Sequence, residues 1–252
     1  ERFVDWLIDN FSGGFDTLSV VLENFIDGIL WLMELPHPLL AVALIAAFTF
    51  WIKRSVGLTI GLVFGLLFII NQGYWNETLE TLTLVLSSCV ICMGLGVPIG
   101  VVAAHRPAVY RILRPVLDLM QTLPTFVYLI PAIVFFGIGM VPGLIATAVF
   151  VLPAPIRLTY LGIASSSEVQ LEAGRAFGAS RWNLLFQIEL PHALPQIFAG
   201  LTQTIMLSLS MVVIAALVGA DGLGVKIVRA LNQVNTALGF EAGLVIVVLA
   251  IM

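Results

Sequence analysis

Long apolar runs separated by short polar turns fill most of this chain. Pro38–Ile52 is ended by Lys53 and Arg54, and Val56–Ile70 by the turn Asn71-Gln-Gly-Tyr-Trp75, whose aromatic residues suit a membrane interface. Leu79–Ala104, Leu119–Gly139, Leu144–Leu158, Leu194–Val218 and a run that begins at Ala242 follow. About 20 mostly apolar residues in a helix cross a hydrocarbon core roughly 30 Å thick, so each run predicts one membrane-spanning helix. The first two are short and need flanking residues or a thinned bilayer to complete the crossing.

The N-terminal pattern is different. Leu18–Met33 is largely apolar but contains Glu23 and Asp27, with Asp16 just before it. Their helical spacing puts the three carboxylates on one face. Charges are costly in lipid, which favours a helix lying on the membrane surface over a poor first span.

Composition agrees with a lipid environment: 60% of the residues are apolar and 10% charged, against roughly 45–50% and about 25% in soluble domains. The interval from Ala193 to Ala220 has no charge at all, and Pro115–Ile156 has only Asp118. A net charge of −4 with no basic patch argues against a nucleic-acid partner. Three basic clusters, Lys53/Arg54, Arg106/Arg111/Arg114 and Arg157/Arg175/Arg181, fall on one side of a seven-crossing chain, which marks that side as cytoplasmic. The turns at 71–78 and 138–143 carry no Lys or Arg; the loop 219–241, with Lys226 and Arg229, is the exception. Residues 1–37 are therefore expected outside. No cleavable signal peptide is visible, and both ends, Glu1 and Met252, are expected to be trimmed.

The longest polar interval between spans, Ser165–His192, carries the functional signal. Ser167-x-x-Gln170 predicts a capped helix start at Glu168. Gly178 predicts a left-handed stop, and Ser180 a cap on a second short helix that Pro191 ends. Trp182, Leu184, Leu185 and Ile188 form an apolar stripe on that second helix. The stripe packs either against a partner or back onto this protein's own spans.

Glu172-Ala173-Gly174, three residues, Gly178, nine residues, then Ile188-Glu189-Leu190-Pro191 resembles the EAA loop of ABC importer permeases, with Gly174 in place of the third Ala. The resemblance implies that Glu172, Ala173, Gly174, Gly178, Ile188, Leu190 and Pro191 form a coupling loop seated on an ATPase subunit. Gln121-Thr-Leu-Pro124-Thr-Phe126-Val-Tyr128-Leu-Ile-Pro131 and Val218-Gly-Ala-Asp221-Gly-Leu-Gly224 are similar to segments of the glycine betaine/proline betaine/choline permeases. Three parts follow: an extracytoplasmic amphipathic segment (1–36), two additional spans (37–76) and a type I transmembrane domain (77–252), truncated at its C-terminal end and containing the coupling loop 165–192. The fold class expected is all-α, a polytopic membrane bundle of about seven spans of the type I importer kind with an N-terminal surface helix.

The implied function is inward passage of a quaternary ammonium osmolyte, driven by ATP and Mg on a partner ATPase, with an extracytoplasmic solute-binding protein or fused domain, a second permease copy and the bacterial inner membrane as the other partners. A type I importer for another small solute such as an amino acid, or a secondary transporter without an ATPase, are the alternatives. Gln121, Pro124, Phe126, Tyr128 and Pro131 are possible pathway-lining residues, with Phe135 and Phe136 beyond them. Pro124, Pro131, Pro153 and Pro155 interrupt membrane helices, either along a water-filled path or as kinks in ordinary packing.

Other chemistry is not indicated. No G-x-x-x-x-G-K-[ST] occurs, so no ATP site is expected on this chain, and no catalytic group, cofactor or metal site either. Cys89 and Cys92 read as small apolar residues on one span. Gly94-x-Gly96-x-x-x-Gly100 reads as close helix packing and not as a dinucleotide loop. Asp118 reads as a structural partner of Arg114. The topology has a direct check: single cysteines at Ser166 and Asn76 are labelled from outside intact cells only at Asn76, and labelling at Ser166 reverses the orientation.

Overall fold

A computed structural model of the chain describes the backbone from Arg2 to Ile251 and side chains from Ser12 onward. The end residues Glu1 and Met252, on which the expectation of trimmed termini fell, lie outside the described residues. Within them the regular structure is entirely helical. Two compact units form, one from residues 1–87, 128–146 and 209–252, the other from 88–127 and 147–208. Three helical stretches are long and apolar enough to cross a membrane, Trp75–His105, Met140–Ala164 and Arg181–Ala216. Two bent helix pairs and the shorter apolar helices Val56–Asn71 and Thr236–Ile251 bring the apolar segments to seven, in line with the hydropathy reading.

In the first unit, α1 (Arg2–Glu34) meets α2 (Pro38–Lys53) at 88°. Pro38 opens α2 at a position where its missing N–H is harmless, and the His37 ring accepts the Leu39 N–H at 3.4 Å. The described part of α1 has three faces. Leu22, Ile26 and Ile29 turn toward the protein, with Ile26 buried. Asp16, Glu23, Asp27 and Glu34 share an exposed acidic face. The exposed apolar Leu18, Val21 and Leu32 lie on the opposite side of the helix from these carboxylates. Acid on one side and grease on the other, with protein along the flank, is the pattern of a helix resting at a membrane surface.

The core of this unit joins Val42 of α2, Leu66 and Ile69 of α3 (Val56–Asn71), Leu223 of α12 (Leu223–Gln233) and Val245 and Leu249 of α13 (Thr236–Ile251). Gly65 lets α3 approach α13, because a Cβ there would lie 2.6 Å from Val248 Cγ1. A second cluster joins Leu129 and Ala132 of α6 (Phe126–Phe136) to Ala146 of α7 (Met140–Val151) and Val218. Phe15 of α1 stacks on Phe135 at 4.8 Å and meets Phe136 edge-on at 5.5 Å. Those two rings, expected as pathway candidates, are used in helix packing.

Lys226, one of the two cations of the 219–241 loop, is paired within this unit. Lys226 pairs with Glu77 at 2.8 Å, at the start of α4 (Trp75–His105), and sits 5.6 Å over the Tyr74 ring. Tyr74 donates to Glu241 at 3.3 Å. The Val218–Gly224 segment turns against the same end of α4: the Leu223 N–H donates to Thr81 Oγ1 at 2.9 Å, and Gly222 holds φ +119° beside Thr81, where a Cβ would collide.

The second unit is built on glycine. Gly96 of α4 lies against Pro155 and Gly100 against Thr159 of α8 (Pro153–Ala164), where a Cβ would meet atoms at 2.8 and 2.7 Å. Gly94 faces open space, so the packing motif is the Gly96/Gly100 pair. Farther along α8, Gly162 receives Ala193 of α11 (Leu190–Ala216). Of the prolines expected to interrupt helices, only Pro124 lies in a break. Pro153 and Pro155 fall in the first turn of α8, where N–H groups have no helical partner, and Pro131 is accommodated within α6.

The Gly65 contact makes a stability prediction. Gly65→Ala should lower stability by about 1–3 kcal/mol, the usual cost of forcing a methyl into a filled contact. Val248→Ala in the same chain should recover most of it. Thermal denaturation in detergent measures both.

Candidate functional site

The Ser165–His192 interval folds as two helical pieces joined by a tight turn. α9 runs Glu168–Ala176. Ser167 stands at its N-cap, but its side chain makes no capping bond; its carbonyl instead accepts from Gln170 and Leu171. The expected capping box is therefore not formed. At the far end the Gly178 N–H donates to Arg175 O at 2.9 Å and the Ala179 N–H to Gly174 O at 3.0 Å, with Gly178 at φ +78°. These two bonds close a Schellman turn. Ser180 then accepts the Asn183 N–H at 3.2 Å and starts α10 (Arg181–Leu184).

The second helix does not end at Pro191. Leu185–Glu189 forms a π-helical turn that leads straight into α11, giving one helical stretch from Arg181 to Ala216. A proline ring strikes the carbonyl four residues before it in an α-helix. The wider π turn just ahead of Pro191 opens that gap, so the helix continues through it.

Tertiary contacts divide the apolar stripe. Leu184 is buried and Ile188 half-buried, both against Gly174, where a Cβ would come within 2.6 Å of Leu184 Cδ2 and 3.1 Å of Ile188 Cδ1. This half of the stripe packs on α9. Gln170, Ala173, Gly174, Gln187, Ile188 and His192 line one shallow groove, so the Glu-Ala-Gly triplet and the Ile-x-Leu-Pro segment are brought together. Glu172 is exposed beside it, Leu190 half-buried and Pro191 exposed. Trp182 stays 68% exposed and stacks on Phe186 at 6.0 Å. Phe177, next to the Gly turn, is 91% exposed. Val169, Phe177 and Phe186 escaped the sequence reading. Their signal was an apolar residue in an interval too polar to enter the bilayer.

The site is anchored at its base. Glu189, buried in the Ile-Glu-Leu-Pro segment, lies 2.9 Å from His105 Nε2 at the end of α4. Asp118 of α5 (Pro107–Thr122) pairs with Arg157 of α8 at 2.5 Å, not with Arg114 as expected from spacing. A helical i−4 neighbour is available, but the guanidinium from α8 reaches Asp118 while Tyr110 and Tyr160 stack at 3.6 Å between the same two helices.

The residues of the Gln121–Pro131 segment fall at the end of α5, in the break and on α6. Gln121 and Tyr128 are half-buried; Pro124, Phe126 and Pro131 are exposed. Extended backbone at Leu123 (ψ 137°) ends α5 as the residue before a proline must.

The family described as binding-protein-dependent transport system inner membrane component matches residues 96–252. The chain is 46% identical to the glycine betaine transport system permease protein OpuAB of Bacillus subtilis over 251 residues, covering 100% of this chain and 89% of that protein. It is 40% identical to the glycine betaine/proline betaine transport system permease protein ProW of Escherichia coli over 252 residues, 99% of this chain and 70% of that one. An inward-facing structure of the MetNI methionine ABC transporter superposes with a TM-score of 0.63 over 73% of this chain and 90% of that one, at 22% identity, and shares the fold.

The turn predicts a difference between its glycines. Gly178→Val places a branched side chain at a left-handed φ, which costs about 1–3 kcal/mol. Amide exchange at Gly178 and Ala179 should rise about fivefold or more, since each 1.4 kcal/mol is a factor of ten. Gly174→Ala meets only the rotatable ends of Leu184 and Ile188 and should leave those amides unchanged.

Proposed function

This chain belongs to the family of binding-protein-dependent transport system inner membrane components, and we propose that within an ATP-driven importer its Ser165–His192 loop is the knob through which the ATPase acts. The observation that carries this reading is an exposed apolar surface on the longest polar interval of the chain. Phe177, Trp182 and Phe186 are exposed on a segment whose backbone is closed by a Schellman turn and a serine cap. An apolar surface of this kind is a partner-binding surface, and a closed turn makes it stiff enough to be pushed. Glu172, Ala173 and Gly174 stand beside it, on the side where Leu184 and Ile188 lock the two helical pieces together. The basic clusters support a cytoplasmic placement of this face.

The cargo we assign is a quaternary ammonium osmolyte such as glycine betaine, proline betaine or choline. The support is the full-length similarity to permeases named for glycine betaine. Such a cation offers no donor on its methylated nitrogen and is held by aromatic faces; Phe126 and Tyr128, at the Pro124 break, are the side chains we assign to the path. ATP and Mg belong to the ATPase and solute capture to an extracytoplasmic binding protein or domain. Two copies of the chain, one knob each, would serve two ATPase sites, and the segments 1–36, 37–76 and 77–252 divide into surface helix, added spans and transport domain.

Two measurements test this. Phe177→Ala with Trp182→Ala should lower co-purification of the ATPase at least tenfold, the scale of losing aromatic anchors from an interface, while the chain still inserts; undiminished co-purification removes the knob assignment. In proteoliposomes with ATPase and binding protein, ATP should drive uptake of labelled glycine betaine or choline, competed by unlabelled betaine. Uptake of an amino acid or sugar alone would overturn the cargo assignment and leave the permease.

A further inference from the structure

We infer that His105 and Glu189 hold one proton between them, and that this pair fastens the base of the loop to α4 so that displacement of the loop is passed into that helix. The inference rests on the coupling role proposed for the loop. Its starting point is a tautomer. His105 Nδ1 lies 2.8 Å from the carbonyl oxygen of Val101, one turn back on α4. A carbonyl oxygen only accepts, so Nδ1 carries the hydrogen. The other ring nitrogen, Nε2, is 2.9 Å from Glu189 Oε2. A neutral ring with its hydrogen on Nδ1 presents a lone pair there, and so does a carboxylate oxygen. Two lone pairs do not bond, so the contact requires one proton, either on Nε2, giving an imidazolium–carboxylate pair, or on the Glu189 carboxyl, which then donates to the ring.

The position gives this proton a mechanical consequence. Glu189 closes the π turn, at the junction between loop and α11, and is buried. His105 is the last residue of α4, which is held on α8 by the Gly96 and Gly100 contacts. With the proton in place, the loop base and the end of α4 are one piece. Without it, two lone pairs face each other at a buried carboxylate, and the link opens. The ionisable groups on the surrounding elements do not replace it. Arg106 follows His105 in the chain, Asp118 and Arg157 bind one another at 2.5 Å, Glu172 and Arg175 lie on α9, and His192 lines the groove on the α9 side. Among the described residues, Glu189 has no side-chain ion pair other than that with His105.

The test uses the complete transporter, with ATPase and binding protein, in proteoliposomes, and reads solute taken up per ATP hydrolysed. Glu189→Gln supplies an amide N–H to Nε2 and should keep the wild-type ratio. His105→Ala cuts the link and should lower the ratio about tenfold, within the usual span of coupling energies, with ATPase co-purification unchanged. A Glu189→Gln ratio as low as that of His105→Ala, or a His105→Ala ratio equal to the wild type's, overturns the inference. If the wild-type chain retains no ATPase, the coupling role itself fails and the inference with it.

Discussion

Helices in a bilayer are surrounded by lipid tails as apolar as their own side chains, so contact between them depends on close fit and not on escape from water. Close fit requires small residues at the crossings, and this chain has them where its helices meet. Gly96 and Gly100 seat α4 on α8, Gly162 of α8 admits Ala193 of α11, and Gly65 brings α3 to Val248 of α13. The polar links described above are positioned by these contacts. Tyr110 and Tyr160 stack, and Asp118 reaches Arg157, because α8 is already fixed by its glycine seams. Backbone satisfaction is the companion constraint, and it explains why the regular structure within the described residues is helical throughout.

Two kinds of apolar surface result, and they behave differently. Leu18, Val21 and Leu32 of α1 are exposed along a helix whose opposite side is acidic, which is stable wherever lipid meets water. Phe177 and Trp182 are exposed on a segment bounded by charged and polar residues, a setting in which apolar area favours association. The loop thus combines an uncovered surface with a backbone whose own hydrogen bonds are met, a combination that suits a moving contact better than a permanent one.

How much of this the amino-acid pattern revealed depended on distance along the chain. The apolar runs, the left-handed turn at Gly178, the cap at Ser180 and the acidic face of α1 were legible because each is decided within a turn or two of helix. Partners that the fold brings together were not. Asp118 had Arg114 in register, and only the packing of α5 on α8 supplies Arg157 instead. Phe135 and Phe136 gave no sign of Phe15, more than a hundred residues earlier. Pro191 read as a terminator because the π turn that accommodates it has no side-chain signature of its own. Glu189 did leave a trace, a carboxylate inside an apolar stripe, but its partner His105 lies 84 residues away.

The uninterrupted run from Arg181 to Ala216 makes the loop one end of a rod. Its 36 residues, at a rise of about 1.5 Å each, would reach roughly 54 Å. A rod transmits torque as well as thrust, and it delivers both without loss unless it has a compliant joint. Here the only non-α segment along it is the π turn at Leu185–Glu189, placed near the loop end. A displacement applied at that end would divide between swinging the long arm and flexing that joint, with the stiffness of five residues setting the ratio.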